Sequence, residues 1–421
     1  MDWKDIHDSS MVVDLHSHPA LKSGLFKRDL AASATKIGPI AKLFKNHFWP
    51  PSVRSSFEQA QQGGVDVQLS TAYVPEEQWF NDIGLLKWAR FFLPGLKQYT
   101  KPSYYDITIS QIKDIENQVD RFNSSRISYG KNDRPKRIEI VRSADQLKKL
   151  ISDKDDRMML IHSVEGAHSL QGESWGKIVD HNKKPTTVMQ GEVFMNLEDL
   201  HKKGVAYLTL AHSYPNCATK SCCFPYPEYG LKFLKKKGLY DKWDHTQGLT
   251  KLGKEIVEKM LELGMLIDIT HLTPVARAEL YEIIDSHKAK SSVICSHAGC
   301  YSINPDPYCL EDWEIKWIAD NGGAIGVIFM NYWLSQSDTK LGMKYIIQTI
   351  KHMIDVGGID AVAIGSDFDG FTDPPDEMVD YTQMPRLTRE LCAMSGGKYN
   401  EDQVQKMIGG NALRVLLDGW K

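Results

Sequence analysis

Seven side chains able to bind a metal or move a proton close short apolar runs of this sequence: His16 and His18, Glu165, His212, His271, His297 and Asp367. In an extended chain residues i and i+2 point to the same side, so the imidazoles of His16-Ser17-His18 leave one strand end together, and Pro19 then stops the strand. Imidazole and carboxylate form the ligand set of zinc and its neighbours without any thiolate. Five or six such ligands exceed what one four-coordinate catalytic zinc uses, whereas two ions sharing a bridging carboxylate would use them all. A bound metal lowers the pKa of its water from about 15.7 towards 7, which supplies a hydroxide nucleophile at neutral pH, and a second ion can polarise the attacked carbonyl. Asp367 could take the proton and return it to the leaving group. One histidine closing a strand is often only a half-buried residue with a satisfied hydrogen bond, but the whole set at six strand ends is hard to explain as packing. The other histidines, His7, His47, His162, His168, His181, His201, His245, His287 and His352, fall off the pattern and read as structural or surface residues.

Eight short apolar runs bounded by turn or polar residues read as the strands that carry these groups: 11–18, 65–74, 158–165, 205–212, 265–271, 292–297, 324–330 and 361–367. Helical patterns separate most of them. Leu252, Ile256, Met260 and Leu263 fall at helical spacing with Gly264 as a C-cap, and Thr273-Pro274 reads as an N-cap followed by proline at the first helical position. Strand and helix in repeated alternation predict parallel pairing with right-handed crossovers, and eight units favour a closed (β/α)8 TIM barrel of the α/β class over an open sheet. A minimal barrel needs ~250 residues. The surplus falls in long insertions after strand one, at 19–64, and after strand two, at 75–157, both expected on the catalytic face. The second holds an aromatic and basic piece at 88–105, an amphipathic piece at 109–122 and a polar stretch at 123–135. The barrel must close across that stretch, so residues 1–421 read as a single domain.

Composition narrows the function classes. With 42% hydrophobic and 25% charged residues the chain is that of a soluble globular protein, and a formal charge of -3 gives no general attraction to nucleic acid or anionic membrane. Lys235-Lys236-Lys237 reads as solvated surface. No apolar run approaches the ~18 residues of a membrane span, and the first residues lack the layout of a signal peptide, although an exported chain with its leader trimmed would look the same. Seven cysteines are too few and too odd in number for a disulfide framework, which favours a reducing, cytoplasmic compartment. Cys217, Cys222 and Cys223 fit no zinc spacing, Asp367-Phe368-Asp369-Gly370 has its glycine too early for an EF-hand, and no Gly-x-Ser-x-Gly elbow is present.

The motifs Ser163-Val164-Glu165-Gly166-Ala167-His168-Ser169, Tyr207-Leu208-Thr209-Leu210-Ala211-His212, Leu266-Ile267-Asp268-Ile269-Thr270-His271, Cys295-Ser296-His297, Gly365-Ser366-Asp367-Phe368-Asp369-Gly370 and Gly409-Gly410-Asn411-Ala412-Leu413-Arg414-Val415 follow one another in a specific order. In this the chain resembles the membrane dipeptidase (renal dipeptidase) family of the amidohydrolase superfamily over most of its length. The resemblance implies a zinc-dependent dipeptidase with two Zn2+ per chain. His16, His18 and the bridging Glu165 would hold one ion, and Glu165, His271 and His297 the other. His212 would contact substrate near the attacked carbonyl, and Asp367 would handle the proton. The implied substrates are dipeptides, often with a D-residue at the C-terminal side, and the implied assembly is a homodimer. The competing readings are a metal-dependent amidohydrolase acting on another amide or ester, and a barrel that binds without turnover.

Two departures from the family pattern bear on mechanism. The family usually has His-x-Asp on the first strand where this chain has His16-x-His18, which removes one negative charge from the ligand shell. The family also usually carries a substrate-carboxylate arginine in the loop after the sixth-strand histidine. Residues 302–312 contain no arginine, and Tyr308 stands near the expected place, able to donate one hydrogen bond but no bidentate charged pair. The charge difference predicts that the first ion is more Lewis-acidic and less tightly held than in His18→Asp. Metal titration of the two proteins checks this; equal affinities and equal pH profiles would refute it.

Overall fold

The computed structural model of the chain describes residues 2–31, 52–82, 99, 101, 103–124, 136–153, 156–180, 183–223, 243–290, 292–335, 342–370, 373–394 and 399–421. Lys235-Lys236-Lys237, His47, His181 and most of the stretches 88–105 and 123–135 lie outside these residues. The strands are β1 (Val12–Ser17), β2 (Val65–Tyr73), β3 (Ile138–Val141), β4 (Met158–Glu165), β5 (Val205–Thr209), β6 (Leu266–Asp268), β7 (Val293–Ala298), β8 (Ala324–Val327) and β9 (Val362–Ile364). They pair in the order β2-β1-β9-β8-β7-β6-β5-β4, and a parallel β2–β4 ladder closes the ring. This is the expected (β/α)8 barrel.

The ninth strand, β3, corrects the sequence reading. It comes from the insertion after β2 and pairs with Met158–Ile161 at the start of β4, while β5 takes over the same edge from His162 onward. The chain between β2 and β4 therefore does not stay on the catalytic face. Its amphipathic part forms the helix Tyr104–Ser124, and it then returns through β3 and the helix Ala144–Ser152 to the opposite end of the barrel. Ile138–Val141 is too short and too mixed in polarity to stand out by period alone.

Inside the ring, Val13, Leu69, Ile161, Tyr207 and Ile294 pack together and against Val415 and Trp420 at the C-terminus. Outward-facing residues such as Leu160, Leu208 and Ile325 join the larger core with the helices. The expected caps are present: Thr273 accepts from Ala276 N ahead of Pro274–His287, and Gly264 closes Lys251–Leu263 in the left-handed conformation at φ 72°.

Two glycines let the strands beneath the site approach closely. A Cβ on Gly326 would lie 1.9 Å, and one on Gly365 1.8 Å, from the carbonyl oxygen of Ser296. Backbone at this position cannot swing away as a flexible side chain would. Gly326→Ala is therefore expected to cost about 1–3 kcal/mol of folding stability, read by denaturant unfolding. A cost below ~0.5 kcal/mol, the scatter of ordinary surface substitutions, would show that the strands relax freely.

Candidate metal centre

Three of the seven side chains lie within a strand: His16 is in β1, Glu165 ends β4 and His297 lies near the end of β7. The other four lie at the ends of the expected spans but just beyond the observed strands. His16 stands beside a register shift between Asp14 and Ser17, and His18 N-caps the helix Pro19–Phe26. His212, His271 and Asp367 follow the last residues of β5, β6 and β9 by three positions each. His271 (φ 66°) and Asp367 (φ 53°) adopt left-handed backbone, as does Asp369 (φ 71°). For residues with a Cβ this is uncommon and costs free energy.

Their side chains nonetheless converge on the Glu165 carboxylate. Glu165 Oε1 lies 3.5 Å from His16 Nε2, 3.3 Å from His271 Nε2 and 3.6 Å from His297 Nε2. Oε2 lies 3.4 Å from His18 Nε2 and 3.6 Å from His212 Nε2. Asp367 Oδ1 stands 3.2 Å from His18 Nε2, and the Nε2 atoms of His16 and His18 are 2.9 Å apart. Three overlapping groups bring their ligand atoms within 4.8 Å of one another: His16-Glu165-His297, His16-His18-Asp367 and Glu165-His212-His271. Asp367 and His212 thus stand among the possible ligands as well as beside them.

The protonation pattern suits a cation. Tyr207 Oη donates its single proton to the carbonyl of Leu15 at 2.8 Å, so at 2.7 Å from His16 Nδ1 it accepts, which leaves the Nε2 lone pair facing the cluster. Ser296 Oγ donates to Asp268 Oδ2 at 2.6 Å and so accepts from His297 Nδ1 at 2.8 Å, with the same result. Burial, reinforced by neighbouring imidazoles, holds His16 and His297 well below the ordinary histidine range. His271 is lowered to about 4, mainly by burial. Burial raises Glu165 to about 7 although His212 and His18 pull it down. For His18 burial works downward, but the hydrogen bond to Asp367 and the charges of Glu165 and Asp367 raise it. Glu165 Oε1 is buried and has no hydrogen-bond donor among the described residues. The Nε2 lone pairs of His16 and His297, packed against a Glu165 oxygen that no donor reaches, favour positive charge between them, so these residues fit a metal centre.

Residues 188–418, just over half of the chain, match the sequence profile of the membrane dipeptidases, Peptidase family M19. The chain belongs to the membrane dipeptidase family. It is 34% identical over 181 residues to an uncharacterised protein of the pqqA 5' region of Klebsiella pneumoniae, a match covering 42% of this chain and 64% of that one. It is 23% identical over 272 residues to dipeptidase tcpJ of Claviceps purpurea, covering 65% and 58%. The chain thus spans less than two thirds of the length of these relatives. Its fold is similar to that of a metallo peptidase from Rhodobacter sphaeroides liganded with a phosphinate mimic of the dipeptide L-Ala-D-Ala, with a TM-score of 0.68 at 18% identity over 98% of this chain and 100% of the other.

Within this membrane dipeptidase family member, Tyr308 is no substitute for the arginine. Its hydroxyl donates to the carbonyl of His297 at 3.0 Å, and its ring stacks on Trp333 at 4.2 Å. Arg277, whose guanidinium reaches that loop, is spent on Glu314 through bonds of 2.6 and 2.9 Å and on the carbonyl of Pro307. Cys217, Cys222 and Cys223 are buried with free thiols, and burial raises all three, Cys223 to about 12, so none offers a ready thiolate. Among the described residues no helix is long and apolar enough to cross a membrane.

Sequence reasoning missed Glu76. It follows β2, is 2% exposed, and accepts from Tyr73 Oη, Ser213 N and His212 Nδ1. Of the adjacent pair Glu76-Glu77, nothing in the sequence says which turns inward; the available signal was that the loop after strand two must also reach the barrel rim.

If Tyr207 sets the ligand form of His16, Tyr207→Phe should weaken metal retention roughly 10–100-fold, measured by metal titration of apoprotein. Unchanged affinity would mean that Thr71 Oγ1, 3.5 Å from the same nitrogen, suffices.

Proposed function

We propose that this chain is a binuclear zinc dipeptidase, in which His16, His18 and Glu165 hold one ion, and Glu165, His271 and His297 the other. The observation that carries this reading is the Glu165 carboxylate, whose two oxygens each face imidazole nitrogens from different strands. The residues suit zinc because they are nitrogen and oxygen donors only. Bound metal supplies Lewis acidity to the attacked carbonyl and to the water that attacks it. Asp367, at the rim beside His18, accepts the proton of the attacking water and returns it to the leaving amine. His212 Nε2, on the Oε2 side of Glu165, contacts the substrate near the attacked carbonyl. Residues 1–421 act as one barrel domain, and by family resemblance as a homodimer.

A second reading is favoured by one observation: residues 302–312 supply no cation, and Tyr308 has its proton engaged. In that reading the same centre cleaves another amide or ester that has no free carboxylate to anchor.

A panel of L,L- and L,D-dipeptides, set against N-blocked and C-amidated analogues and combined with metal quantification, separates the two. Hydrolysis of free dipeptides that disappears on chelation and returns with Zn2+, at about two ions per chain, is expected. Turnover confined to blocked or amidated substrates would transfer the assignment to the second reading. Activity indifferent to chelation would overturn both.

A further inference from the structure

The loops after β2 and β5 meet above the end of β4, and their meeting point is a carboxylate–imidazole pair. In the barrel ring β4 lies between β2 and β5, and Tyr73 at the end of β2 stands in register with Glu165. Three residues beyond Tyr73, Glu76 turns inward and becomes buried. Its Oε2 accepts from Tyr73 Oη at 2.7 Å. Its Oε1 accepts from Ser213 N at 2.9 Å and faces His212 Nδ1 at 3.2 Å. Both oxygens are therefore occupied by protein donors, and Glu76 belongs to none of the groups that could hold a metal. Burial opposes its charge, but His212 and His168 outweigh burial and hold its carboxyl well below the usual range.

A buried ionised carboxylate dictates what the imidazole can present. Were Nδ1 unprotonated, its lone pair would face Glu76 Oε1 with no proton between them, in a place with little water to screen the repulsion. Ser213 Oγ lies 2.7 Å from the same nitrogen and can accept a share of its proton. With Nδ1 protonated, Nε2 is the nitrogen left for chemistry, and it is the one 3.6 Å from Glu165 Oε2. The Tyr73 ring, 4.2 Å from the imidazole, and the His271 ring, 4.6 Å away, pack against it at a tilt.

We propose that Glu76 is the positioning residue of His212: its carboxylate fixes the Nδ1-protonated tautomer and turns the Nε2 lone pair toward the Glu165 side of the cluster, where it accepts a hydrogen bond from an N–H or O–H of the bound substrate. The arrangement follows the logic by which a buried acid orients a catalytic histidine, here with the acid supplied by the loop after β2. It rests on the dipeptidase reading only for the identity of the substrate; the tautomer and the ring orientation do not depend on it.

The test is a double-mutant cycle in the full-length, metal-loaded chain. Glu76→Ala should lower kcat for a dipeptide roughly 10–100-fold with metal content unchanged and with a smaller effect on KM. Glu76→Gln, which keeps an acceptor for Nδ1–H, should recover most of the loss. In a His212→Ala background Glu76→Ala should cost nothing further, because the group it positions is gone. Equal costs in the two backgrounds, or loss of metal in place of kcat, would reduce Glu76 to a loop tie and overturn the proposal. Long-range 1H–15N spectra of the His212 ring give a readout that needs no substrate: the Nδ1–H tautomer in the parent and Glu76→Gln, and a shift away from it in Glu76→Ala. A parent ring already in the Nε2–H form would overturn the proposal even if every dipeptide were cleaved, and an Nδ1–H ring in a chain that cleaves none would fault the substrate assignment alone.

Discussion

The Glu165 carboxylate is a charge taken out of water to the end of a barrel strand, 1% exposed, with one oxygen that no hydrogen-bond donor reaches among the described residues. Removing a carboxylate from water costs several kcal/mol unless opposite charge replaces the water. His16 and His297 do not supply that charge, because burial and the neighbouring imidazoles lower both, and the hydroxyls that accept from their Nδ1–H groups leave Nε2 as a lone pair. The barrel thus folds around a position that favours a cation. The loops after β5 and β6 and the two ends of β1 and β7 all bring imidazoles to the same carboxylate.

Bringing so many imidazoles and carboxylates together requires order one layer below them, and two buried aspartates supply it in the same way. Asp14 on β1 accepts from Ser366 N and Oγ, immediately before Asp367. Asp268 on β6 accepts from Ser296 N and Oγ, immediately before His297. Each also accepts from the backbone two residues further along the chain, at His16 N and Thr270 N. Each aspartate therefore ties its own strand end to the neighbouring one, and the residue after the tied serine is drawn into the cluster. Burial carries a cost even with these partners: it raises Asp14 to about 6 against the hydrogen bonds of Ser366 and Tyr381. Left-handed backbone at His271 and Asp367 adds about 1–3 kcal/mol each, offset by the packing that surrounds it.

Glu76 extends the same principle to the far side of the cluster, where the partner is His212 and the acid acts directly on the ring. Clamping by acids at several points leaves little freedom for any single imidazole. That rigidity suits a reaction in which the water, the carbonyl and the proton acceptor must meet within a few tenths of an ångström.

The barrel itself was legible in the sequence because fully buried parallel strands are short apolar runs, and the glycine and threonine-proline caps mark the helices between them. The chemistry was legible because histidines and acids end those runs; His16, Glu165 and His297 could be placed at one rim from alternation and topology alone. Strand lengths were not. The apolar runs continue to His212, His271 and Asp367, while the strands end three residues earlier and the backbone turns left-handed at His271 and Asp367, a turn no local propensity reports. β3 was hidden because Ile138–Val141 is stabilised by pairing with the start of β4, a partner distant in sequence. Glu76 was hidden for a related reason: whether a glutamate in Glu76-Glu77 is solvated or buried depends on Tyr73, His212 and Ser213, which only the closed barrel brings to it. Residue types and their order along the chain determined which chemistry this protein can hold. Which nitrogen of each imidazole is offered, and which acid holds it there, was decided by contacts between loops that the sequence keeps far apart.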